Sequence, residues 1–116
     1  RDMPKLIALI TKQSHLSRAE FKAYYEAYHA PLVAELLPMI KRYTRSFMPE
    51  APEIVGQGGE PGFDVLTELW FEDEINLTLF WERIREPEVA ATIRADEANF
   101  LVAEKTVIYR VDETEI

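Results

Sequence analysis

Hydrophobic and polar residues follow two different periods along this chain, and the periods predict its strands and helices. Residues 5–11 form a continuous apolar run, which is typical of a strand buried on both faces. Residues 40–48 alternate loosely and residues 63–72 alternate clearly, so both are predicted to be strands, and residues 105–111 form the last one. Alternation in the third strand puts apolar side chains on both of its faces, with Phe63, Val65, Leu69 and Phe71 on one and Leu66 and Trp70 on the other.

The first predicted helix begins with a complete start signal. Ser17 is placed as the N-cap and Glu20 as its capping-box partner, and Leu16 and Phe21 are placed as the hydrophobic staple. Steps of three and four then predict one buried stripe, which consists of Phe21, Tyr25, Tyr28, Leu32, Leu36 and Met39. Pro31 falls inside this stripe, so we expect the helix to kink or restart there.

Two further helical segments are predicted between the third strand and the last. Asp73 is placed to cap the first of them, whose apolar face consists of Leu77, Phe80, Trp81 and Ile84. Pro87 starts the second segment, with Glu88 in the first turn, where the helix dipole favours an acid. The apolar stripe of that segment consists of Val89, Ile93, Phe100 and Leu101. The order β-α-β-β-α-β predicts an α+β, ferredoxin-like fold with a four-stranded antiparallel sheet and two helices on one face.

The predicted sheet has more apolar surface than its own helices can bury. Two helices cover one face of such a sheet, whereas the first strand is apolar throughout and the third is apolar on both faces. A second subunit that packs sheet against sheet would cover the remaining face, so we expect a homodimer.

Residues 49–62 are predicted to form a long connection. This segment holds all four glycines of the chain and three of its seven prolines. Because glycine and proline interrupt regular helices and strands, we expect a mobile loop that acts as a lid.

Length and composition restrict the classes of function. At 116 residues, with 47% hydrophobic and 29% charged residues, the chain is expected to form a single domain over residues 1–116. The formal net charge of −8 argues against nucleic acid and anionic membrane surfaces as partners. No apolar run reaches the roughly 20 residues of a membrane span. The sequence shows neither a secretory signal nor a cysteine, so a cytoplasmic location is expected.

His29 and Asp96 are polar residues at positions where the pattern predicts burial. His29 lies on the flank of the buried stripe, next to the expected break at Pro31, where its ring can point into a cavity. Alternatively, the ring caps the backbone carbonyl that Pro31 leaves without a donor. Asp96 lies three residues after Ile93 and four before Phe100, on an apolar stripe where a carboxylate needs a partner. Alternatively, a small rotation of the helix places Asp96 at the solvent margin.

Several aromatic residues are candidates for the same site. Tyr43 on the second strand can offer its hydroxyl, and the side chains expected to contact a ligand are Tyr25, Tyr28, Trp70 and Phe100. Core packing is the commoner role for aromatic residues at such spacings. His15, in a polar turn, is expected at the surface. We expect neither a metal nor a cofactor, because the sequence has no metal-spaced cluster, no glycine-rich phosphate loop before a helix and no nucleophile elbow.

Four segments together resemble a known family. They are LSRAEFKAYYEAYHAPLVAELLP, RYTRSF, FDVLTELWFE and ADEANFL, which span nearly the whole chain. They are similar to the EthD-like group of dimeric α+β-barrel proteins. The resemblance implies a homodimer whose two sheets pack into a barrel, with a cavity between the helices and sheet of each protomer. Methylmuconolactone-isomerase-like relatives further imply a catalytic acid or base at His29 and a contribution from Tyr43, although those relatives use an additional loop histidine that residues 49–62 lack.

The residues and the resemblance together predict a small, cofactor-free lyase or isomerase that acts on an aromatic, lactone or polyketide-like molecule. His29 is expected to transfer a proton, Tyr43 to donate to a developing oxyanion, and Asp96 to orient His29 or share the proton transfer. One alternative is a cofactor-independent monooxygenase of the same fold, which deprotonates a phenolic substrate that then reacts with oxygen. A small-molecule-binding protein without turnover is the other.

Overall fold

The predicted order of elements is present. A computed structural model describes residues 3–116. The elements are, in chain order, β1 (Lys5–Ile10), α1 (Arg18–Tyr24), a π-helical turn (Tyr25–His29), α2 (Ala30–Leu36), β2 (Ile40–Phe47), β3 (Val65–Phe71), α3 (Glu74–Ile84), α4 (Pro87–Glu97), a 3-10 turn (Ala103–Lys105) and β4 (Val107–Val111). Each predicted strand is slightly shorter than expected. Among residues 3–116, every helix is too short or too polar to cross a bilayer.

The four strands form one antiparallel sheet in the order β2-β3-β1-β4. In the central pair, Leu6 of β1 lies opposite Leu69 of β3, and Ala8 lies opposite Thr67. These side chains are buried on the face that the helices cover. The α+β, ferredoxin-like prediction is confirmed, and Thr67 is a polar residue within this buried face.

The first helical rod, residues 18–36, begins as predicted. The Ser17 hydroxyl accepts a hydrogen bond from the Glu20 amide at 3.0 Å, and the Glu20 carboxylate accepts one from the Ser17 amide at 2.8 Å. Leu16 packs against the buried cluster that contains Phe21, as a hydrophobic staple does. Local sequence therefore determines where the rod starts.

The helix continues through Pro31, and the predicted irregularity there takes the form of a π-helical turn, after which α2 begins at Ala30. The backbone of His29 and Ala30 keeps right-handed helical angles, and the Ala30 amide donates to the Tyr25 carbonyl, five residues back. Such a π-helical turn is wider than an α-helical one, and it accommodates a residue that has no amide hydrogen to donate. The His29 side chain bonds Asp96 and makes no hydrogen bond to a carbonyl of the rod, so its alternative role as a local cap is wrong.

The π-helical turn also changes which side chains face the core. Buried positions recur at steps of four, at Phe21, Tyr25, His29, Val33 and Leu37. In a regular α-helix, a step of four drifts by about 40° around the axis, and the wider turn between Tyr25 and His29 corrects part of this drift. The predicted stripe is therefore wrong at Tyr28, and beyond it Leu36 and Met39 pack only at the edge of the core. Tyr28 is 61% exposed, and Leu32 and Leu36 are half-buried.

The helices α3 and α4 lie where the second helical region was predicted. The Asp73 side chain caps α3 by accepting from the Asn76 amide at 2.9 Å, and Pro87 occupies the first turn of α4. One buried cluster joins both helices to the sheet and consists of Leu6, Val33, Leu37, Leu69, Phe71, Leu77, Phe80, Val89 and Ile93. A second cluster, towards the start of the first rod, consists of Ala8, Ile10, Phe21, Tyr25, Ala30, Val65, Phe100 and Leu101. Tyr43 packs against both clusters.

The sheet face opposite the helices, called the open face, is only partly covered within one chain. Its half-buried and exposed apolar side chains are Ile7, Leu9, Leu66, Val107 and Tyr109. At one end of this face, Trp70 lies between Lys5 and Arg42, with each cationic group 4.4 Å from its ring. Glu113 accepts hydrogen bonds from both Lys5 and Trp70. Within one chain, β1 is therefore fully covered on one face only, and burial of its other face by a second subunit stays a prediction.

The chain between β2 and β3 forms the predicted long connection, with no helix or strand in residues 48–64. Arg18, at the start of α1, holds both ends of it. Its guanidinium donates to the Pro49 carbonyl at 3.1 Å and to Glu60 at 2.5 Å. It also donates to the buried Asp64 at 3.0 Å. The mobility of this loop and its role as a lid stay predictions.

At the end of the rod, Leu37 is a core residue and Leu36 a peripheral one. We expect Leu37→Ala to lower the free energy of unfolding by about 2–5 kcal/mol, because a side chain that is 2% exposed leaves a cavity when it is truncated. Leu36→Ala removes the same atoms from a half-buried position and should cost clearly less. Urea unfolding of both variants measures the difference, and an equal or larger loss for Leu36→Ala would contradict the assigned phase of the rod.

Candidate active site

His29 and Asp96 meet between the first helical rod and α4. His29 Nδ1 lies 2.8 Å from Asp96 Oδ2. The π-helical turn directs the imidazole inward, where His29 is 4% exposed, and Asp96 remains half-buried. The prediction that this carboxylate has a partner is confirmed, and His29 is one such partner.

The contact with Asp96 defines the role of each ring nitrogen of His29. An ionised carboxylate only accepts hydrogen bonds, so Nδ1 carries a proton and donates it. The neutral imidazole then has its lone pair on Nε2. Within residues 3–116, Nε2 has no hydrogen-bond partner. Every side-chain nitrogen or oxygen that is completely buried there does have one. Nε2 is therefore not completely buried, although the residue as a whole is only 4% exposed.

Two opposing effects act on the His29 imidazole. Burial disfavours the charged form and lowers the pKa of His29 from its ordinary value of 6.5, and this effect is the larger. The hydrogen bond to Asp96 and the charge of that carboxylate raise the pKa and offset part of the lowering. His29 is therefore neutral at pH 7, in the form that accepts a proton at Nε2.

The second oxygen of Asp96 is bound by Tyr24. Tyr24 Oη lies 2.7 Å from Asp96 Oδ1, and Asn99 Nδ2 donates to Tyr24 Oη at 2.8 Å. Burial and the hydrogen bond with the carboxylate raise the pKa of Tyr24, so its phenol keeps its proton and is the donor. Asp96 is thus held between a phenol on one oxygen and an imidazole on the other.

A group of three hydroxyls lies beside His29. Tyr25 Oη is 2.9 Å from Tyr43 Oη and 2.8 Å from Thr67 Oγ1. The rings of Tyr25 and His29 meet edge to face, with centroids 5.1 Å apart. Burial raises the pKa of both tyrosines, so both phenols keep their protons. The rod, β2 and β3 each contribute one hydroxyl to this group, which is a set of neutral hydrogen-bonding groups.

An ion pair lies next to this hydroxyl group. The Arg45 guanidinium stands 4.6 Å from the centre of the Tyr43 ring. It donates to both carboxylate oxygens of Glu26, at 2.5 and 3.0 Å. Such a two-point contact satisfies the guanidinium charge locally, so Arg45 is not a free cation beside the hydroxyls.

The structure brings together most of the predicted site residues but not all of them. Phe100 is fully buried, and its ring centroid lies 4.9 Å from that of His29 and 5.5 Å from that of Tyr25. Tyr28 lies apart, because it is exposed on the outside of the rod. Trp70 lies apart as well, because it projects from the open face of the sheet. The predicted residues that do converge are His29, Asp96, Tyr25, Tyr43 and Phe100.

An open cavity was expected beside His29, and within one chain the ring is instead enclosed. Its neighbours are the rings of Tyr25 and Phe100, and only 4% of the residue is exposed. A ring-sized ligand therefore reaches Nε2 only when neighbouring side chains move.

Tyr24, Thr67 and Asn99 belong to the same network and were not predicted from the sequence. Thr67 was detectable, because it occupies an inward position in the alternation of β3, between Val65 and Leu69. Tyr24 carries no such signal. It lies beside the predicted stripe, and its contact with Asp96 joins residues 72 positions apart in the chain.

Fold and site define an α+β protein of the ferredoxin-like type with a histidine–carboxylate pair in its interior. The sequence profile of the EthD domain matches residues 13–104, which is most of the chain. The chain therefore belongs to the EthD domain family, as the sequence resemblance predicted. No sequence match was found among curated proteins.

Solved structures share this fold over nearly their whole length. An EthD family protein from Bacillus halodurans is 25% identical, with a TM-score of 0.63 over 97% of this chain and 100% of that one. SnoaB, a cofactor-independent oxygenase from Streptomyces nogalater, is 14% identical, with a TM-score of 0.57 over 100% and 97%. A dimeric protein of ferredoxin-like fold from Bacteroides fragilis is 13% identical, with a TM-score of 0.55 over 96% of both chains. At such identities, the last two show the fold alone.

Protonation of His29 should destabilise the folded chain. Because its folded-state pKa lies below the ordinary 6.5, the unfolded chain binds the proton more tightly, and stability is lost as the pH falls below 6.5. We expect the Tm of the wild type to fall more steeply than that of His29→Gln between about pH 7 and about pH 5. Calorimetry of both proteins measures this. His15 is exposed and is present in both proteins, so its effect is the same in both. Parallel profiles of Tm against pH would show that the His29 pKa is not lowered.

Proposed function

We propose that this protein is an enzyme in which His29 removes a proton from an aromatic, lactone or polyketide-like substrate. The observation that carries the proposal is the contact of 2.8 Å between His29 Nδ1 and Asp96 Oδ2, which orients the imidazole. Nε2 has no partner within residues 3–116. A neutral imidazole held in this tautomer accepts a proton at Nε2, and the carboxylate stabilises the imidazolium that forms.

Tyr25 and Tyr43 supply hydrogen-bond donors for the charge that develops on the substrate. When a carbon adjacent to a carbonyl loses its proton, the electron pair of the broken bond moves to the carbonyl oxygen. A protonated phenol close to His29 can donate to that oxygen, and its fixed position makes the interaction stronger than in water. The imidazolium then returns the proton, either to another atom of the same molecule or to a leaving hydroxyl. The first outcome is isomerisation and the second is elimination of water.

The surroundings of His29 favour an uncharged substrate that contains a ring. The rings of Tyr25 and Phe100 flank the imidazole. Arg45, beside the hydroxyls, is paired with Glu26. The site thus offers aromatic faces and hydroxyl donors rather than a free cation that would recruit a carboxylate.

A cofactor-independent monooxygenase is the second candidate, and the fold shared with SnoaB favours it. Its first step would use the same base, because deprotonation of a phenol also requires a neutral imidazole at Nε2. The phenolate would then react with molecular oxygen. Oxygen consumption separates this reaction from isomerisation or elimination, and binding without product across a panel of aromatic compounds would favour a binding protein.

We expect His29→Gln to reduce turnover by roughly two to four orders of magnitude, the usual range for the loss of an acid–base group. Glutamine fills a similar volume and can still donate to Asp96, so the fold should remain. Product formation from a panel of lactone, phenolic and polyketide-like compounds measures the effect. His15→Gln is the matched control, because His15 is exposed in a turn. Full activity of a folded His29→Gln variant would contradict the proposal.

We also propose that two copies of this chain pair through the open face of the sheet, as a dimeric α+β barrel does. The exposed apolar side chains of that face, including Val107 and Tyr109, support this arrangement. The dimeric protein from Bacteroides fragilis, which has the same fold, supports it as well. Pairing would remove these side chains from water.

Val107→Lys tests this interface. Val107 is 50% exposed on the open face, and a lysine there would bury an unpaired charge between two sheets. We expect the wild type to sediment as a dimer at micromolar concentration and Val107→Lys to sediment as a monomer. Ile75→Lys is the control, because Ile75 is 69% exposed on α3, in the layer on the other side of the sheet. A monomeric wild type would contradict the proposed dimer.

A further inference from the structure

Tyr24 contacts the histidine–carboxylate pair, and the proposed mechanism gives it no role. Its ring is half-buried and packs against Phe100, with centroids 5.0 Å apart. Its hydroxyl donates to Asp96 Oδ1 at 2.7 Å and accepts from Asn99 Nδ2 at 2.8 Å. The polar chain therefore runs from Asn99 through Tyr24 and Asp96 to His29 Nδ1, and it ends at the nitrogen opposite the one that meets the substrate.

We infer that Tyr24 is a positioning residue for the proposed reaction. Its hydroxyl shares the charge of the Asp96 carboxylate and thereby controls how readily His29 takes up a proton. The inference rests on the proposed role of His29 as base. Among residues 3–116, each carboxylate oxygen of Asp96 has one side-chain partner, Tyr24 on Oδ1 and His29 on Oδ2. A hydrogen bond to one oxygen withdraws charge from the other, so the phenol weakens the attraction between the carboxylate and an imidazolium.

The direction of this control follows from the groups that face His29. Among the described residues, Asp96 on α4 is the charged group that acts on the ring. Glu97, the next residue, instead lines a groove of about 420 Å³ together with Arg94 and Ile108 of β4. The uncharged titratable neighbours are Tyr24, Tyr25 and, through Tyr25, Tyr43. A change at Asp96 or at its donors should therefore move the protonation of His29 while the burial of the ring, the larger effect, stays the same.

The sequence makes a direct measurement possible, because the chain has two histidines and one of them is a built-in reference. Proton and carbon NMR of the imidazoles yields separate titrations of His29 and the exposed His15, and His29→Gln assigns the signals. Tyr24→Phe removes only the hydroxyl. Tyr28→Phe is the matched control, since Tyr28 is the adjacent exposed tyrosine whose ring lies 4.8 Å from that of Tyr24.

We expect Tyr24→Phe to raise the pKa of His29, because the carboxylate keeps its full charge and stabilises the imidazolium more strongly. Asp96→Asn should shift it in the opposite direction, because the charge is lost. The His15 titration should be the same in all variants, and Tyr28→Phe should leave His29 unchanged. An unchanged or lowered His29 pKa in folded Tyr24→Phe would overturn the inference.

Activity provides the second readout. On the acid side of the profile, kcat/KM of Tyr24→Phe should fall by roughly three- to tenfold, because more of the base is protonated at a given pH. The apparent pKa of the acid limb of the kcat/KM profile should change by the same amount as the His29 pKa measured by NMR. If the His29 pKa measured by NMR changes and the acid limb of the activity profile does not, Tyr24 controls His29 but His29 is not the base. The proposed function then fails, while the inference about Tyr24 stands. If neither moves, the inference itself is wrong.

Discussion

Pro31 has no amide hydrogen, and the first helical rod has to pass it in the middle of a buried segment. The π-helical turn at Tyr25–His29 allows this, and it brings Tyr25 and His29 to the same side of the rod. Tyr25 bonds the hydroxyls of the sheet, and His29 bonds the carboxylate of α4. Both halves of the candidate site therefore depend on one backbone irregularity. Turns of this kind are rare in proteins and recur at functional sites.

The polar contacts fix the layers of the fold relative to one another. A buried polar group without a partner costs roughly 1–3 kcal/mol, and among residues 3–116 no buried side-chain nitrogen or oxygen is left without one. Apolar packing alone tolerates small shifts of a helix along a sheet, whereas a hydrogen bond between Tyr25 and Thr67 does not. The same holds for His29 and Asp96, which connect the rod to α4. These contacts thus define where the rod sits, in addition to stabilising it.

The order of elements was predictable because strand alternation and helix capping are local properties of the sequence. The pairing of His29 with Asp96 was predictable in outline, since each falls where burial requires a partner. The phase of the rod beyond Tyr25 was not, because a single π-helical turn leaves no periodic signal, and Tyr28 was therefore assigned to the interior. Trp70 is a different case. Alternation along β3 already placed its side chain on the face of the sheet opposite to that of Val65. Alternation alone was therefore sufficient to separate Trp70 from His29.

The position of Trp70 has a spectroscopic consequence. The chain has two tryptophans, and they lie on opposite sides of the sheet. Trp70 is flanked by Lys5 and Arg42 and donates to Glu113, whereas Trp81 packs against Phe80 in the helical layer. Nearby charges shift and quench indole emission, so the two residues contribute distinguishable fluorescence. Replacing either one with phenylalanine would leave a single intrinsic fluorophore, which reports separately on the open face or on the helices.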